Sequence, residues 1–198
     1  KRFVTEGNVN KGNAWNSDQS QFQHEVTSLS TLSHRGEKTT AGVLQSIHSS
    51  TPSYTIDVAL SMSGRLANKL YVCFQEIQGT FGSNVSKKHE ATCPQNIHVV
   101  ASKTGKMTKE HIKRFITAVF DEHVILSEKG LLLYDAWSGN IDHNLFDACF
   151  PNNDVTLKIL PLKSTKYYRL LDVYYFWRYK LYMRRIAGFS NYNVKNHK

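Results

Sequence analysis

Cysteine is scarce in this sequence, and acidic residues are scarce at one end of it. Only three cysteines occur in 198 residues: Cys73, Cys93 and Cys149. Odd in number and far apart, they exclude a disulfide framework and fit a reducing compartment. Zinc is set aside too, because Cys73, Cys93, His89 and His98 lack the close Cys–Cys or His–His pairing that its sites need. No apolar run approaches membrane-spanning length, and Lys1-Arg2-Phe3-Val4 opens no signal-peptide core. A Gly-rich phosphate loop and a nucleophile elbow are both missing, which argues against a nucleotide cradle and a serine hydrolase. Repeats, low-complexity tracts and Pro- or Gly-rich linkers are missing as well. The expectation is one domain over residues 1–198, excised from a longer protein because the chain starts at Lys1 without Met.

What is present can build a core: 40% of residues are hydrophobic and 12% aromatic. The net charge is +9, and it is not evenly spread. Through Leu157 there are 15 basic and 15 acidic residues; after it come 10 basic residues and a single acid, Asp172. Lys158, Lys163, Lys166, Arg169, Arg178, Lys180, Arg184 and Arg185 alternate there with tyrosines and Trp177. Cations that neutralise phosphate, mixed with aromatics that stack, point to nucleic acid. Lys163, Lys166, Arg169, Arg178, Lys180, Arg184 and Arg185 are the candidate DNA-binding residues.

Strands are expected near Trp15, ending at Asp18, and over 39–49, 54–61, 69–76 and 97–101. Thr108 reads as the N-cap of a helix carrying Ile112, Phe115, Ile116, Val119 and Phe120 on one face. Leu131-Leu132-Leu133-Tyr134 does not alternate and suggests a central strand covered on both sides. A helix over 141–150 follows, then an alternating edge strand over 155–159. A last helix runs from about 170 to 186, with Leu170, Val173, Tyr174, Trp177 and Leu181 as its buried stripe. Lys87-Lys88-His89 reads as a solvated loop. Hairpins first and βαβ units afterwards make an α/β fold, a mixed sheet flanked by helices.

Three acids stand at element ends: Asp18, Asp135 after the Leu131 run, and Asp172 opening the last helix. Singly, each reads as a turn or cap residue. Together they would repel one another unless divalent cations sat among them, and oxygen-only ligands suit Mg²⁺ or Mn²⁺. Two such ions can activate water and stabilise a leaving oxygen in phosphodiester cleavage.

An ordered series of blocks resembles the catalytic domain of DDE-superfamily transposases, in the pogo/Tigger/jerky-like branch of the mariner group. The blocks are Asn16-Ser17-Asp18-Gln19-Ser20-Gln21-Phe22, Thr31-Leu32-Ser33 with Gly36-Glu37-Lys38, Ala101-Ser102-Lys103-Thr104-Gly105-Lys106-Met107-Thr108, Leu132-Leu133-Tyr134-Asp135-Ala136-Trp137-Ser138-Gly139, and Leu160-Pro161 through Leu171-Asp172-Val173. They span nearly the whole chain. The resemblance implies an RNase H-like fold, two Mg²⁺ or Mn²⁺ ions on Asp18, Asp135 and Asp172, and DNA cleavage with strand transfer. It further implies a nuclear protein whose partners are DNA and a second copy of itself, with no membrane, and a DNA-binding helix-turn-helix ahead of Lys1. Gln21, Asn140 and Arg169-Leu170 depart from the family pattern. They favour an alternative: a domesticated, transposase-derived DNA-binding or chromatin protein with weak or no catalysis. A nuclease acting on RNA or on a hybrid is a third, weaker reading.

Overall fold

The structure is a computed structural model that describes residues 9–23, 35–36, 53–120, 129–135, 143–150, 155–160 and 171–196, apart from the side chains of 143, 145, 172, 173 and 187–196. The strand expected over 39–49, the blocks at 31–33 and 37–38, and residues 136–142 and 161–170 lie outside the described residues.

Six strands form one mixed sheet: β1 (Ala14–Gln23), β2 (Ser53–Ser61), β3 (Leu70–Gln75), β4 (Ile97–Ser102), β5 (Gly130–Tyr134) and β6 (Val155–Ile159). Their spatial order is β4-β3-β2-β1-β5-β6. β2 lies antiparallel between β1 and β3, whereas β5 is parallel to both β1 and β6. The Leu131 run is therefore an interior strand, and the alternating Val155 segment is an edge. The carboxyl ends of β1, β5 and β6 point the same way, the arrangement in which α/β sheets place their sites.

Two helices depart from expectation. Helix α1 (Ser83–Thr92) buries none of its side chains, so it carries no hydrophobic period to read. Lys87-Lys88-His89 is thus helical rather than loop, and α1 lets β4 return parallel to β3. Helix α2 (Lys109–Phe115) widens into π-helical turns over Ile116–Phe120, and α3 spans His143–Cys149. The last helix, α4, begins as π-helical turns over Leu171–Phe176 and continues as Trp177–Asn196, ten residues past the expected end.

Strand alternation divides the core between two faces. On one face, Trp15, Ala59, Tyr71, Leu132 and Tyr134 pack with Ile112, Phe115, Val119 and Phe120 of α2 and with Phe146 of α3. Trp15 is fully buried and meets Phe120 edge-on at 5.9 Å. On the other face, Phe22, Tyr54, Ile56, Val58 and Val72 pack under Leu171 and Phe176 of α4. The turn before α2 is pinned at Gly105: its φ is +68°, and an added Cβ would lie 2.5 Å from the Ser53 carbonyl oxygen. Any side chain there would have to push this turn away from β2.

Thr108 caps α2 as expected, with His111 rather than a glutamate as its reciprocal partner. The Thr108 N–H donates to Nδ1 of His111 at 3.1 Å, and Nε2 of His111 bonds the Ala101 carbonyl at 3.2 Å. Those roles fit a neutral ring that donates from Nε2. Burial pushes His111 below its ordinary range, partly offset by the bond to Ala101. The unfolded chain therefore takes up this proton at a higher pH than the folded chain does. Stability is complete above the ordinary histidine range of about 6.5 and falls as pH drops below it. His111→Gln is expected to flatten that acid limb in thermal melts, at a cost of about 1 kcal/mol near neutral pH from weakened capping.

Candidate active site

Asp18 is the fifth residue of β1, not its last as expected. The strand continues because β2 pairs with it as far as Gln23↔Ser53, whereas β5 pairs only through Asn16↔Leu133. Asp18 thus lies just past the end of the parallel ladder. The β1–β5 register runs Ala14↔Leu131, an offset of 117, and 18 + 117 = 135. Carried two residues past its last pair, that register sets Asp18 level with Asp135, which immediately follows β5. Neighbouring strands run about 4.8 Å apart. Alternation assigns both aspartates to the Phe22 face, the one covered by α4. Asp18 is 8% exposed and accepts the Gln19 N–H on Oδ1 at 2.9 Å, while Asp135 is half-buried. Asp172 follows the fully buried Leu171 at the start of α4 over this same face; its side chain lies outside the described residues.

A fourth acid was not legible in the sequence. Asp57, in the middle of β2, is fully buried on the opposite face. Ser17 Oγ donates to its Oδ1 at 2.6 Å, and the Tyr134 hydroxyl approaches its Oδ2 at 3.5 Å. Burial drives the Asp57 carboxyl well above the usual range; Ser17 opposes this and the nearby Asp18 charge adds to it. Burial and Asp57 likewise push the Tyr134 phenol upward. A carboxyl whose pKa burial raises therefore lies behind the Asp18–Asp135 level.

The cations of α4 lie differently from the expected stripe. Tyr174 and Trp177 are each 60% exposed, so they are not core; Leu171, Phe176 and the half-buried Tyr175 and Tyr179 are. Aromatics occur all round this helix, so periodicity could not select the buried set, and the π-helical start shifts the phase. Arg178, Lys180, Arg184 and Arg185 are exposed. The Arg178 guanidinium lies 4.5 Å from the Tyr174 ring centre, and Lys180 Nζ lies 5.6 Å from that of Phe22. Lys163, Lys166 and Arg169 lie outside the described residues.

This contrast divides the basic residues by expected effect. Arg184→Ala with Arg185→Ala should leave the melting curve unchanged and lower the log–log salt slope of DNA binding by about 0.9 for each phosphate no longer neutralised. Lys180→Ala should also destabilise, by about 0.5–1 kcal/mol, because it uncovers Phe22. An unchanged salt slope in a folded Arg184/Arg185 variant would mean that these side chains do not meet phosphate.

No protein-family model, curated protein or solved structure matches this chain. Among the described residues, no three His, Cys, Asp or Glu side chains form a metal-holding group. Carried two residues past its last pair, the β1–β5 register brings Asp18 and Asp135 to one level. Their all-oxygen chemistry fits a hard divalent cation, with Asp172 on the adjoining helix as the third ligand the sequence suggests. Among the described residues, no helix is long and apolar enough to cross a membrane.

Proposed function

We propose that this chain is the catalytic domain of a transposase-type DNA endonuclease and strand transferase, built on an RNase H-like fold. The observation that carries the reading is the β1–β5 register, which sets Asp18 level with Asp135 on the face that Asp172 adjoins. The mixed sheet, antiparallel on one side of β1 and parallel on the other, is compatible with that fold.

In this reading Asp18, Asp135 and Asp172 hold Mg²⁺ or Mn²⁺. Bound cations supply a lowered water pKa and stabilisation of the leaving oxygen. The protein's own part is to fix the carboxylates on rigid elements. Trp15 and Leu132 lock β1 against β5 from behind, and Leu171 seats the start of α4. The exposed cations of α4 hold the DNA backbone near that level. The protein acts in the nucleus, with DNA and a second copy of the chain as partners.

The domesticated alternative rests on Gln21, Asn140 and Arg169-Leu170. Gln21 alternates onto the face away from Asp18, and its amide donates to Ser53 Oγ at 2.9 Å. That is a bond within the sheet, made away from the carboxylates, so this departure does not speak against catalysis. The test incubates the full-length protein with transposon-end DNA and Mn²⁺ and scores nicks. Nicking that needs the cation supports the enzyme. DNA binding without nicking supports the domesticated protein.

A further inference from the structure

The β1–β5 pairing ends at Asn16↔Leu133, so Asp18 and Asp135 each stand two residues beyond the last pair. Whatever sets their spacing must hold the two strand ends together past that point. Ser17 and Tyr134 immediately precede the two aspartates, and alternation turns both to the opposite face, under α2. There they converge on one side chain of a third strand. Asp57 of β2 accepts from the Ser17 hydroxyl on Oδ1 at 2.6 Å, and the Tyr134 hydroxyl approaches its Oδ2 at 3.5 Å. All three residues are buried, and the Tyr134 ring is held edge-on by Phe115 at 6.3 Å. An apolar residue would fill this slot of β2 more cheaply than a buried carboxyl does. A carboxyl, however, offers two oxygens, one for each neighbouring hydroxyl.

We propose that Asp57 is a positioning residue for the Asp18–Asp135 cation site: by bridging Ser17 and Tyr134 it fixes the strand ends that carry the two carboxylates. This deepens the metal reading above and rests on it. Asp57 lies on the face away from the carboxylates, so it meets neither cation nor DNA. It acts through the backbone, and one peptide bond separates each bridged residue from its aspartate. The bridge spans β2, β1 and β5, three neighbours in the sheet. Buried hydrogen-bonded side chains of this kind hold a geometry rigidly, which cation ligands require.

The test measures Mn²⁺ affinity of the full-length protein without DNA, from the paramagnetic resonance signal of the free ion, beside melting curves in EDTA. Tyr134→Phe removes the β5 arm of the bridge and keeps the ring against Phe115. It is expected to weaken Mn²⁺ binding about tenfold, the lower end of what losing a ligand-orienting partner costs. Asp57→Ala removes both arms and should weaken binding by about ten- to a hundredfold. Asp57→Asn can accept from Ser17 and donate to Tyr134, so it should restore the affinity that Asp57→Ala loses. If Asp57→Ala does not fold, Tyr134→Phe and Asp57→Asn still decide the matter. A merely structural role would lower the melting temperature and leave the affinity, measured well below it, unchanged; that result overturns the bridge. Tight binding by Tyr134→Phe, with binding lost in Asp135→Asn, overturns the bridge and leaves the metal site standing. Equal losses in Asp57→Asn and Asp57→Ala would assign the effect to the carboxyl charge and overturn it too. No Mn²⁺ binding by the unaltered protein overturns both bridge and site.

Discussion

Asp57→Asn is expected to melt above the unaltered chain at about pH 8, with the advantage shrinking as pH falls toward the ordinary carboxyl range. Asp57 is fully buried, and burial lifts its folded-state pKa well above the unfolded value. Between those two values the unfolded chain has released the proton and the folded chain has not. Raising the pH therefore favours unfolding, by up to about 1.4 kcal/mol per pH unit. Asparagine keeps the shape and has no proton to lose. Its Oδ1 can still accept from Ser17 Oγ, and its amide can donate to the Tyr134 hydroxyl oxygen. The two melting curves should therefore separate as pH rises above the ordinary carboxyl range. The melts belong in EDTA, so that no cation offsets the Asp18 charge that also raises Asp57. Asp57→Ala separates charge from packing: it leaves Ser17 and Tyr134 buried without this acceptor and should cost about 1–3 kcal/mol for each. Parallel pH profiles for the native chain and Asp57→Asn would mean that Asp57 is ionised and paired in the fold.

The burial of Asp57 has a cause that lies far from it in the chain. In Tyr54-Thr55-Ile56-Asp57-Val58 the acid occupies a polar slot of an alternating strand, which ordinarily faces water. The face is dry because α2 packs across it, and α2 begins more than 50 residues later. The Leu131 run, by contrast, was legible because both of its faces are buried and it carries no polar slot to misassign. The Thr108 cap was legible because capping is local chemistry. Helix α1 was not, since it buries nothing, and neither was the phase of α4, where aromatics line every side. In the candidate site the acids announced themselves only by standing after strands and before a helix. Their shared level depends on the β1–β5 register, and a register is a relation between strands that neither sequence segment contains.

That register carries the sharpest expectation. Asp18→Asn and Asp135→Asn should each reduce Mn²⁺-dependent nicking on the order of a thousandfold or more, and the double variant should be no worse, as for groups acting as a unit. A stability measurement isolates the cause. Asparagine keeps the shape of either aspartate, so both variants should still show a cooperative melt without cations. Millimolar Mn²⁺ should raise the melting temperature of the unaltered chain. Cation at about 100 times its dissociation constant contributes ~2.7 kcal/mol, or about 5–10 °C at this size. Either substitution should remove that shift. A shift that persists in Asp135→Asn would mean that the cation binds elsewhere, and the two-carboxylate level would not be a metal site. No shift in the unaltered chain, together with intact DNA binding, would instead leave the domesticated protein: the acids keep their positions, and the chemistry is gone.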